Sequence, residues 1–457
     1  MVMVRAGAAW AWWGVLRAAA ARRLGGGAAA EVGRRALSTR TVAVGMSGGV
    51  DSAVAALLLK QQGHRVFGVF MRNWDERNED AAACSTEQDY LSAKRASDAL
   101  GIDLVQVDCE YGHPRSDPSA GRCRRLTACV RPCGAAPVVA QYWDLVFQRF
   151  LGDIKRGLTP NPDLACNRHI KFKLLLEHAR RQGADCLATG HYARLRRAPG
   201  DGVALLRGLD RAKDQSYFLA QVPGEALRRC IFPVGERTKA EVRALAERAG
   251  LPNAQRRSSA GICFIGRRKF GELVSEYIKP TPGRFVCVED GAHVADHAGV
   301  ELFTVGQRAR IPGAARPWYV AGKDLRAGVI YVAQGEHHPA LYAAAATLHS
   351  PFWISGDPVA AEPAAPLRCE FKARYLQAPG ACAVRRGAVG RSAFAPDGLP
   401  GSLAVELARP ARALTPQQAF VLYDGDVCLG GALVGAPGKT LHEAGRPVPS
   451  ALREAAA

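Results

Sequence analysis

A glycine-rich hexapeptide, Ser47 to Ser52 (SGGVDS), stands near the start of the chain between two apolar stretches. Two adjacent glycines let a backbone approach a phosphate closely, and a following helix directs its free N–H groups at the anion. The hexapeptide lacks the Gly-Lys-Ser/Thr ending of a Walker A loop, so it indicates a phosphate site of another kind. Asp51 would repel phosphate unless a divalent cation binds as well, and we therefore expect Mg²⁺ there. The alternative is an ordinary strand–helix turn rich in Gly and Ser.

Two cysteines lie in contexts that favour thiol chemistry. Cys166 ends a turn made rigid by two prolines and precedes a predicted helix, Ile170 to Arg181. A helix start lowers the pKa of a thiol, and Asp163 lies close enough in sequence to act as a general acid or base. Cys263 lies in a short apolar run between basic residues. Either cysteine alone is more often a packed thiol, but two such thiols together can form the transient disulfide that a persulfide carrier requires.

The cysteines as a set show no metal-binding spacing. Thirteen are scattered over 457 residues, and no C-x-x-C pair occurs. We therefore predict neither a disulfide scaffold nor a structural zinc site.

The elements that position these groups can also be predicted. Thr41 to Met46 reads as a buried strand, Ala53 to Gln62 as an apolar-periodic helix, and Arg65 to Met71 as a second strand. Strand, glycine loop, helix and strand in that order are typical of the opening of a parallel sheet. The predicted fold class is therefore α/β.

The second half of the chain predicts two smaller units. Phe270 to Tyr277 reads as a short helix, and alternating runs from Gly283 and His293 suggest a small mixed domain. Short β runs separated by Gly and Pro follow at Leu367–Tyr375, Leu403–Leu407 and Ala419–Tyr423. Such spacing indicates an antiparallel β-barrel at the C-terminus.

Charge points to a nucleic-acid partner and to an organelle. The formal net charge is +19, which favours a polyanion. Residues 1–40 hold seven arginines against one glutamate, with the apolar patch Trp10 to Trp13 among them. Arginines spread through such a segment are typical of a mitochondrial transit peptide, and they argue against a secretory signal. A mispredicted start codon is the other alternative. We therefore predict a mitochondrial matrix protein. No apolar run is long enough to span a bilayer, so no membrane partner is expected.

Ordered motifs along the chain resemble those of one family. The SGGVDS loop is similar to that of the ATP pyrophosphatase superfamily, whose members adenylate an oxygen of their substrate. The further matching motifs are GVFMRNWD (68–75), PNPDLACN (160–167), ATGHYAR (188–194), KDQSYFL (213–219), AGICFIG (260–266), FTVGQR (303–308), PWYV (317–320) and HPAL (338–341). From about residue 41 to residue 435 the chain is identified as a member of the bacterial and mitochondrial tRNA 2-thiouridylase family.

The resemblance implies a role for each matching residue. The ATP-binding positions are Gly45, Met46, Ser47, Gly48, Gly49, Val50, Asp51, Ser52, Met71 and Gly190. The segment beside the target base is Asn161, Pro162 and Asp163. The tRNA-contacting positions are His191, Lys213, Asp214, Gln215, Arg374, Tyr375 and Gln418. Cys166 matches the nucleophile and Cys263 the persulfide carrier, while Asp163 is our candidate acid or base.

The resemblance also implies a reaction. The enzyme would 2-thiolate the wobble uridine, U34, of mitochondrial tRNAs for Lys, Glu and Gln. ATP, with Mg²⁺, adenylates the C2 oxygen of the uridine. A persulfide on Cys263, supplied by a cysteine desulfurase or a relay carrier, then gives up its sulfur while Cys166 closes a disulfide with Cys263.

Domain boundaries follow from the motifs. We expect a targeting segment at 1–40, an ATP-pyrophosphatase domain at 41–258, a central tRNA-binding domain at 259–337, a β-barrel at 338–436 and a flexible tail at 437–457. Residues 112–140 depart from the family as an Arg-, Pro- and Gly-rich insertion. We interpret this stretch as a retained intron or gene-model error, predicted to be a disordered loop if translated, with a functional insertion as the alternative. Ser258 stands where family members often carry an acidic residue, so a carboxylate near Cys263 is missing. This departure concerns how the reactivity of Cys263 is adjusted and not the identity of the residue.

Two other functions compete with this reading. One is an ATP-pyrophosphatase ligase for a small molecule, against which the basic body, the cysteine pair and the β-rich C-terminal domain argue. The other is a catalytically impaired relative that only binds tRNA, against which the presence of Asp51, Asp163 and both cysteines argues.

Overall fold

The computed structural model of this protein describes residues 39–71, 85–107, 142–198, 202–256, 270–359, 365–387 and 402–454. The predicted targeting segment up to residue 38, the whole of the 112–140 insertion, Ser258 and Cys263 lie outside the described residues. Three sheets organise the remainder, and the predicted fold class is confirmed.

A five-stranded parallel sheet forms the first domain. Its strands are β1 (Thr41–Gly45), β2 (Arg65–Met71), β3 (Leu104–Val107), β4 (Cys186–Ala188) and β7 (Cys230–Ile231), in the order β3-β2-β1-β4-β7. The alternate side chains of the central strand β1 enter different cores: Val42 and Val44 pack with the helices on one face, and Ala43 packs on the other. A strand buried on both faces requires the continuous apolar run that β1 has.

Helices cover both faces of this sheet. They are α1 (Val50–Gln61), α2 (Ser85–Leu100), α3 (Gln148–Lys155), α4 (Pro162–Ala165), α5 (Leu176–Arg181), α6 (Ser216–Leu219), α7 (Gly224–Leu227) and α8 (Lys239–Arg248). Two stretches have π-helical hydrogen bonding: Trp143–Phe147, which leads into α3, and Cys166–Leu175, which joins α4 to α5. Residues 162–181 are therefore continuously helical, and we call them the site helix.

The central domain is a small mixed sheet. Helix α9 (Phe270–Tyr277) precedes β8 (Gly283–Cys287), β9 (His293–His297), β10 (Trp318–Asp324) and β11 (Val329–Gln334), in the order β10-β11-β8-β9. The pair β11–β8 is parallel and its neighbours are antiparallel. Short 3₁₀ turns occupy Val300–Leu302 and Pro339–Leu341.

Six antiparallel strands close into the C-terminal barrel. They are β12 (Tyr342–Trp353), β13 (Leu367–Lys372), β14 (Gly380–Arg386), β15 (Leu403–Arg412), β16 (Ala419–Asp424) and β17 (Val427–Pro437). Pairing of β12 with both β15 and β17 closes the ring. Strand β13 lies within the β run predicted from sequence at 367–375, and β16 covers the run predicted at 419–423.

The barrel shares its sheet with the first domain. The hairpin of β5 (Ala193–Ala198) and β6 (Gly202–Arg207) leaves the parallel sheet and pairs with β17, through Leu206 opposite Val427. Sequence periodicity did not predict this attachment, since nothing local in a strand specifies its partner.

The predicted flexible tail at 437–457 needs correction over most of its length. Leu441 is 2% exposed and packs with Leu341 and Tyr342, and its N–H donates to the carbonyl of Tyr342. A short helix, α10 (Ser450–Glu454), follows. Buried apolar side chains hold these residues against the barrel, so the tail is ordered as far as residue 454. No helix among the described residues is long and apolar enough to cross a membrane.

Candidate active site

The glycine loop lies where β1 ends at the carboxyl edge of the parallel sheet. The N–H of Met46 donates to the carbonyl of Val69 (2.9 Å) and so ties the loop to β2. The hydroxyl of Ser52 accepts from the N–H of Ser47 (3.2 Å) and donates to the carbonyl of Gly49 (3.0 Å). The loop is thereby closed on itself ahead of α1, whose first backbone N–H groups point out of its N-terminal end.

Gly48 holds a conformation that only glycine adopts readily. Its φ is +73°, and a Cβ there would lie 2.3 Å from the carbonyl oxygen of Asp89. Its own carbonyl accepts from the Ser92 hydroxyl (2.8 Å), the Asn253 amide (3.1 Å) and the Arg256 guanidinium (3.0 Å). Three donors on one carbonyl fix the orientation of the peptide plane in the middle of the phosphate loop.

Sequence reasoning missed the groups that hold Gly48. Asn253 is buried, and Arg256 also forms an ion pair with Asp89 of α2. Asn253 and Arg256 lie some two hundred residues after the loop, and neither belongs to a motif that marks phosphate binding. Only the tertiary fold brings them to it.

Asp51, in the first turn of α1, is paired with a lysine. The Nζ of Lys239 lies 2.6 and 2.7 Å from the two carboxylate oxygens of Asp51, and the Tyr192 hydroxyl donates to the same carboxylate (2.7 Å). Burial, followed by the charge of Asp51, raises the pKa of Tyr192, so its hydroxyl stays protonated. The sequence suggested that a divalent cation is needed to account for this carboxylate. Lys239 already neutralises Asp51, so the carboxylate by itself does not require one.

Magnesium at this position is nevertheless compatible with the residues present. Mg²⁺ in nucleotide sites takes one or two carboxylates, and phosphate oxygens and waters complete its coordination. Asp51 supplies one carboxylate at the loop. The described residues contain no group of three His, Cys, Asp or Glu side chains that converge as a metal site would require.

Gly190 closes the loop from the side of β4. A Cβ on Gly190 would lie 2.7 Å from the backbone carbon of Asp51 and 2.7 Å from the backbone nitrogen of Ser52. The first turn of α1 therefore packs directly on the backbone of Gly190. The contact of Gly190 with ATP stays a prediction.

His191, next in the chain, is held as a neutral imidazole. Its Nδ1 hydrogen-bonds the Thr189 hydroxyl (2.7 Å), and its ring packs between Phe172 and Phe232. Burial, with a smaller contribution from Lys171, lowers the pKa of His191 to about 3. A contact with tRNA through His191 would thus use hydrogen bonding or stacking and not a positive charge.

The site helix begins earlier than the sequence suggested. Asn161 is its N-cap, accepting from the N–H of Asp163 (3.2 Å), and Pro162 occupies the first helical position. Cys166 is therefore in the second turn, where the effect of the helix dipole has already weakened, and not at the helix start as predicted. The thiol is 2% exposed.

Cys166 and the predicted ATP-binding residue Met71 meet in one cluster. Met71, at the end of β2, packs against the buried group that contains Cys166, Ile170 and Phe147. Further along the site helix, Leu175 lies beside Gly45 of the phosphate loop. One helix thus spans the distance between the nucleotide loop and the thiol.

Barrel loops flank the start of the site helix. The amide of Gln418 donates to the carbonyl of Thr159 (2.6 Å), and the N–H of Thr159 donates to the carbonyl of Pro416 (3.2 Å). Gln417, whose φ is +72°, donates from its side chain to Asp153 (3.2 Å). The predicted tRNA residue Gln418 therefore lies directly beside the predicted target-base segment 161–163.

Three other predicted tRNA residues form a neighbouring group. Arg374 is exposed and donates to the carbonyls of Arg412 and Ala413, the latter at 2.9 Å. The Tyr375 hydroxyl donates to the carbonyl of Lys213 (3.3 Å), and Lys213 is exposed. These residues come from the first domain and the barrel, so the structure brings together positions that are about 160 residues apart in sequence.

Asp214 and Gln215 are oriented inward. Asp214 is 2% exposed and accepts from the N–H groups of Gly208 and Ser216, at 3.0 and 3.1 Å. The Gln215 side chain accepts from the N–H of Tyr192 (3.0 Å). The carboxylate of Asp214 therefore organises the loop that carries Lys213, and the contact of Asp214 with tRNA stays a prediction. Its sequence neighbours gave no signal of this burial.

Comparison with known proteins covers almost the whole described fold. The sequence profile of the tRNA methyl transferase HUP domain matches residues 40–115 and 130–267. That of the tRNA methyl transferase PRC-barrel domain matches 271–334, and that of the aminomethyltransferase β-barrel domain matches 344–434. The two HUP segments leave out 116–129, which lies within the predicted insertion.

Bacterial relatives match over nearly their full length. The tRNA-specific 2-thiouridylase MnmA of Chromohalobacter salexigens is 42% identical over 413 residues, covering 88% of this chain and 95% of the relative. That of Burkholderia ambifaria is 40% identical over 430 residues, covering 92% and 100%. That of Pseudomonas aeruginosa is 42% identical over 399 residues, covering 86% and 94%. The extent of identity and coverage, together with the matching domain profiles, shows that the chain belongs to the MnmA family of tRNA-specific 2-thiouridylases.

Proposed function

We propose that this protein is a tRNA-uridine 2-sulfurtransferase that converts U34 of mitochondrial tRNAs for Lys, Glu and Gln to 2-thiouridine at the expense of ATP. The observation that supports the proposal is that the site helix connects the glycine loop, where ATP would bind, to the segment that carries the predicted nucleophile. The first two turns of the site helix carry Asn161, Asp163 and the buried Cys166, next to the segment that Gln418 of the barrel contacts. Further along, Leu175 lies beside Gly45, where the glycine loop begins.

The first step of the proposed reaction is adenylation. The wobble base leaves its stack, at a small cost in a single-stranded loop, and enters beside Asn161 to Asp163. The C2 oxygen of the uridine attacks the α-phosphorus of ATP, forming an O–P bond and releasing pyrophosphate at the loop from Ser47 to Ser52. When bound, Mg²⁺ neutralises part of the phosphate charge, and Asp51 is the residue that would hold it. The base now carries AMP, a good leaving group.

The second step is sulfur transfer. In the direct route the terminal sulfur of a persulfide on Cys263 attacks C2, the bond from C2 to the oxygen of AMP breaks, and Cys166 then attacks the Sγ of Cys263 and releases the sulfur that remains on C2. In the other route Cys166 attacks the Sγ of Cys263 first, and the hydrosulfide that is released attacks C2 and displaces AMP. Cys166 and Cys263 end as a disulfide, which an external thiol reductant must reduce before the next turnover. The sulfur comes from a cysteine desulfurase or a relay carrier. Asp163, one turn before Cys166, serves as the acid or base.

The tRNA interface of the proposal combines the barrel and the first domain. Arg374 and Lys213 are exposed cations, and the Tyr375 hydroxyl contacts the backbone of Lys213. Gln418 contacts the backbone of Thr159, next to the target-base segment. Exposed cations of this kind bind phosphate without reading sequence, and so position the anticodon arm. Residues 1–40 are proposed to direct the protein to the mitochondrial matrix.

The test is mass spectrometry of nucleosides from separately purified mitochondrial and cytosolic tRNA. Cells lacking the protein are complemented with wild type, Cys166→Ala, Cys263→Ala or Cys287→Ala. Cys287 is a buried cysteine of β8 in the central domain and serves as the matched control. We expect mitochondrial 2-thiouridine to disappear on removal and to return with wild type and with Cys287→Ala only. Persistence of the modified nucleoside after removal of the protein would refute the proposed function.

A further inference from the structure

Asp51 and Lys239 form an ion pair at the glycine loop. Asp51 lies in the first turn of α1, where the helix directs its N–H groups toward the anion. The two side chains are only 28% and 13% exposed, so their charges are poorly screened by solvent. A carboxylate in that position repels phosphate unless a cation remains beside it.

Lys239 does not stabilise the helix on which it stands. It is the first residue of α8, where the macrodipole favours anions and disfavours cations. That helix is already capped, because Thr238 and Glu241 form a reciprocal capping box. The ammonium group therefore occupies its position for a reason other than the stability of α8.

The surrounding structure holds the ammonium over the loop. The N–H of Lys239 donates to Asp210 (3.0 Å), which fixes the start of α8. Its Nζ lies 5.8 Å from the centre of the Tyr192 ring, the same residue whose hydroxyl binds Asp51. Contacts thus fix both the backbone and the ammonium group of Lys239, and the ammonium group lies at the N-terminal end of α1.

We propose that Lys239 is a nucleotide-binding residue, whose ammonium neutralises Asp51 and contacts the pyrophosphate portion of ATP at the glycine loop. This inference rests on the proposed function, because it places ATP at residues 45–52. An ammonium there stabilises the negative charge that collects on pyrophosphate as the bond to the α-phosphorus breaks. Lys239 would then act both in binding ATP and in the departure of the leaving group.

The experiment measures ligand binding by calorimetry on the full-length chain, with ATP and with inorganic pyrophosphate at fixed Mg²⁺. The variants are Lys239→Met, which removes the charge, and Lys239→Arg, which keeps it. Lys94→Met is the matched control, because Lys94 is an exposed helical lysine that pairs with Asp98. We expect Lys239→Met to weaken pyrophosphate binding at least about tenfold, as loss of a charged hydrogen bond predicts. Lys239→Arg should stay within a few-fold of wild type, and Lys94→Met should be unchanged.

A second comparison covers the case in which Lys239→Met fails to fold. Asp51→Asn alone is set against Asp51→Asn combined with Lys239→Met, since replacing both members of a buried pair by neutral groups is tolerated better than removing one. A contact between Lys239 and phosphate predicts that the double variant binds pyrophosphate at least about tenfold more weakly than Asp51→Asn. Equal affinity of these two variants would show that the ammonium acts only on Asp51, and the inference would be wrong.

The outcomes separate the two proposals. Wild type that binds neither ATP nor pyrophosphate overturns the proposed function and this inference together. Wild type that binds both ligands, with Lys239→Met binding equally well, overturns the inference alone and leaves the proposed function intact.

Discussion

Replacing Gly190 with alanine tests whether close packing against the first turn of α1 maintains the phosphate loop. The added methyl group would meet the backbone of Asp51 and Ser52 at 2.7 Å. Ordinary contact between such atoms begins at about 3.5 Å, so the two segments must separate by several tenths of an ångström. Backbone atoms on both sides cannot rotate away as a flexible side chain would.

The expected magnitudes follow from that displacement. Overpacking of this kind costs about 1–3 kcal/mol in unfolding free energy. A misplacement approaching 1 Å at a reacting centre costs up to about a hundredfold, so we expect Gly190→Ala to weaken ATP binding by about tenfold or more. Thiouridine formation should fall at least in proportion when ATP is limiting.

The assays are calorimetric ATP affinity and thermal unfolding, each compared with Gly152→Ala. Gly152 is in the interior of α3, and a Cβ there would meet no atom within 4 Å. Alanine should therefore stabilise α3 by about 0.5–1 kcal/mol and leave ATP binding unchanged. If Gly190→Ala binds ATP as wild type does and unfolds at the same temperature, the packing argument is refuted.

Three further substitutions test other contacts. His191→Gln should reduce the loss of stability in acid, because the pKa of His191 is about 3 in the fold against about 6.5 in the unfolded chain. The contribution of His191 to the free energy of unfolding is therefore full above pH 6.5 and falls by up to about 2 kcal/mol at pH 5. Thermal unfolding measures this, with the exposed His293→Gln as the control. Asn161→Ala should cost about 1 kcal/mol and lower thiolation, whereas Asn161→Asp keeps the cap; equal stability of the two would contradict the capping role. Tyr217→Phe should cost about 1–3 kcal/mol, because its hydroxyl donates to the buried carbonyl of Ala419 (3.0 Å), and a change within 0.5 kcal/mol would show that this bond is unimportant.

The local features of the site could be predicted from sequence because they depend on neighbouring residues. Strand β2 has the predicted bounds of Arg65 and Met71. The SGGVDS motif follows β1, with its two glycines in the turn and Val50 to Ser52 in the first turn of α1. The start of the site helix was misplaced by several residues. Asn161 and Pro162 are a strong capping pair, but the predicted start followed the apolar pattern after Cys166 instead of the cap.

Features that depend on distant residues were not predictable from one sequence. Lys239 lies 188 residues after Asp51 in the chain, and a lysine at the start of a helix carries no local sign of its partner. The burial of Asp214 depends on a loop that closes around it, through the N–H of Gly208. In both cases the function of a side chain is decided by tertiary contacts, which no pattern of periodicity or spacing encodes.

The hairpin shared between the first domain and the barrel limits how far this chain can be divided. One buried core contains Leu205 and Leu227 of the first domain together with Val421 and Tyr423 of the barrel. A truncation before residue 338 would expose that apolar surface and leave the edge of β6 without its partner β17. Unpaired edges of this kind recruit other strands and aggregate. The barrel is therefore not a detachable module, and a change deep within it is expected to reduce the amount of soluble enzyme before it affects the recognition of any tRNA.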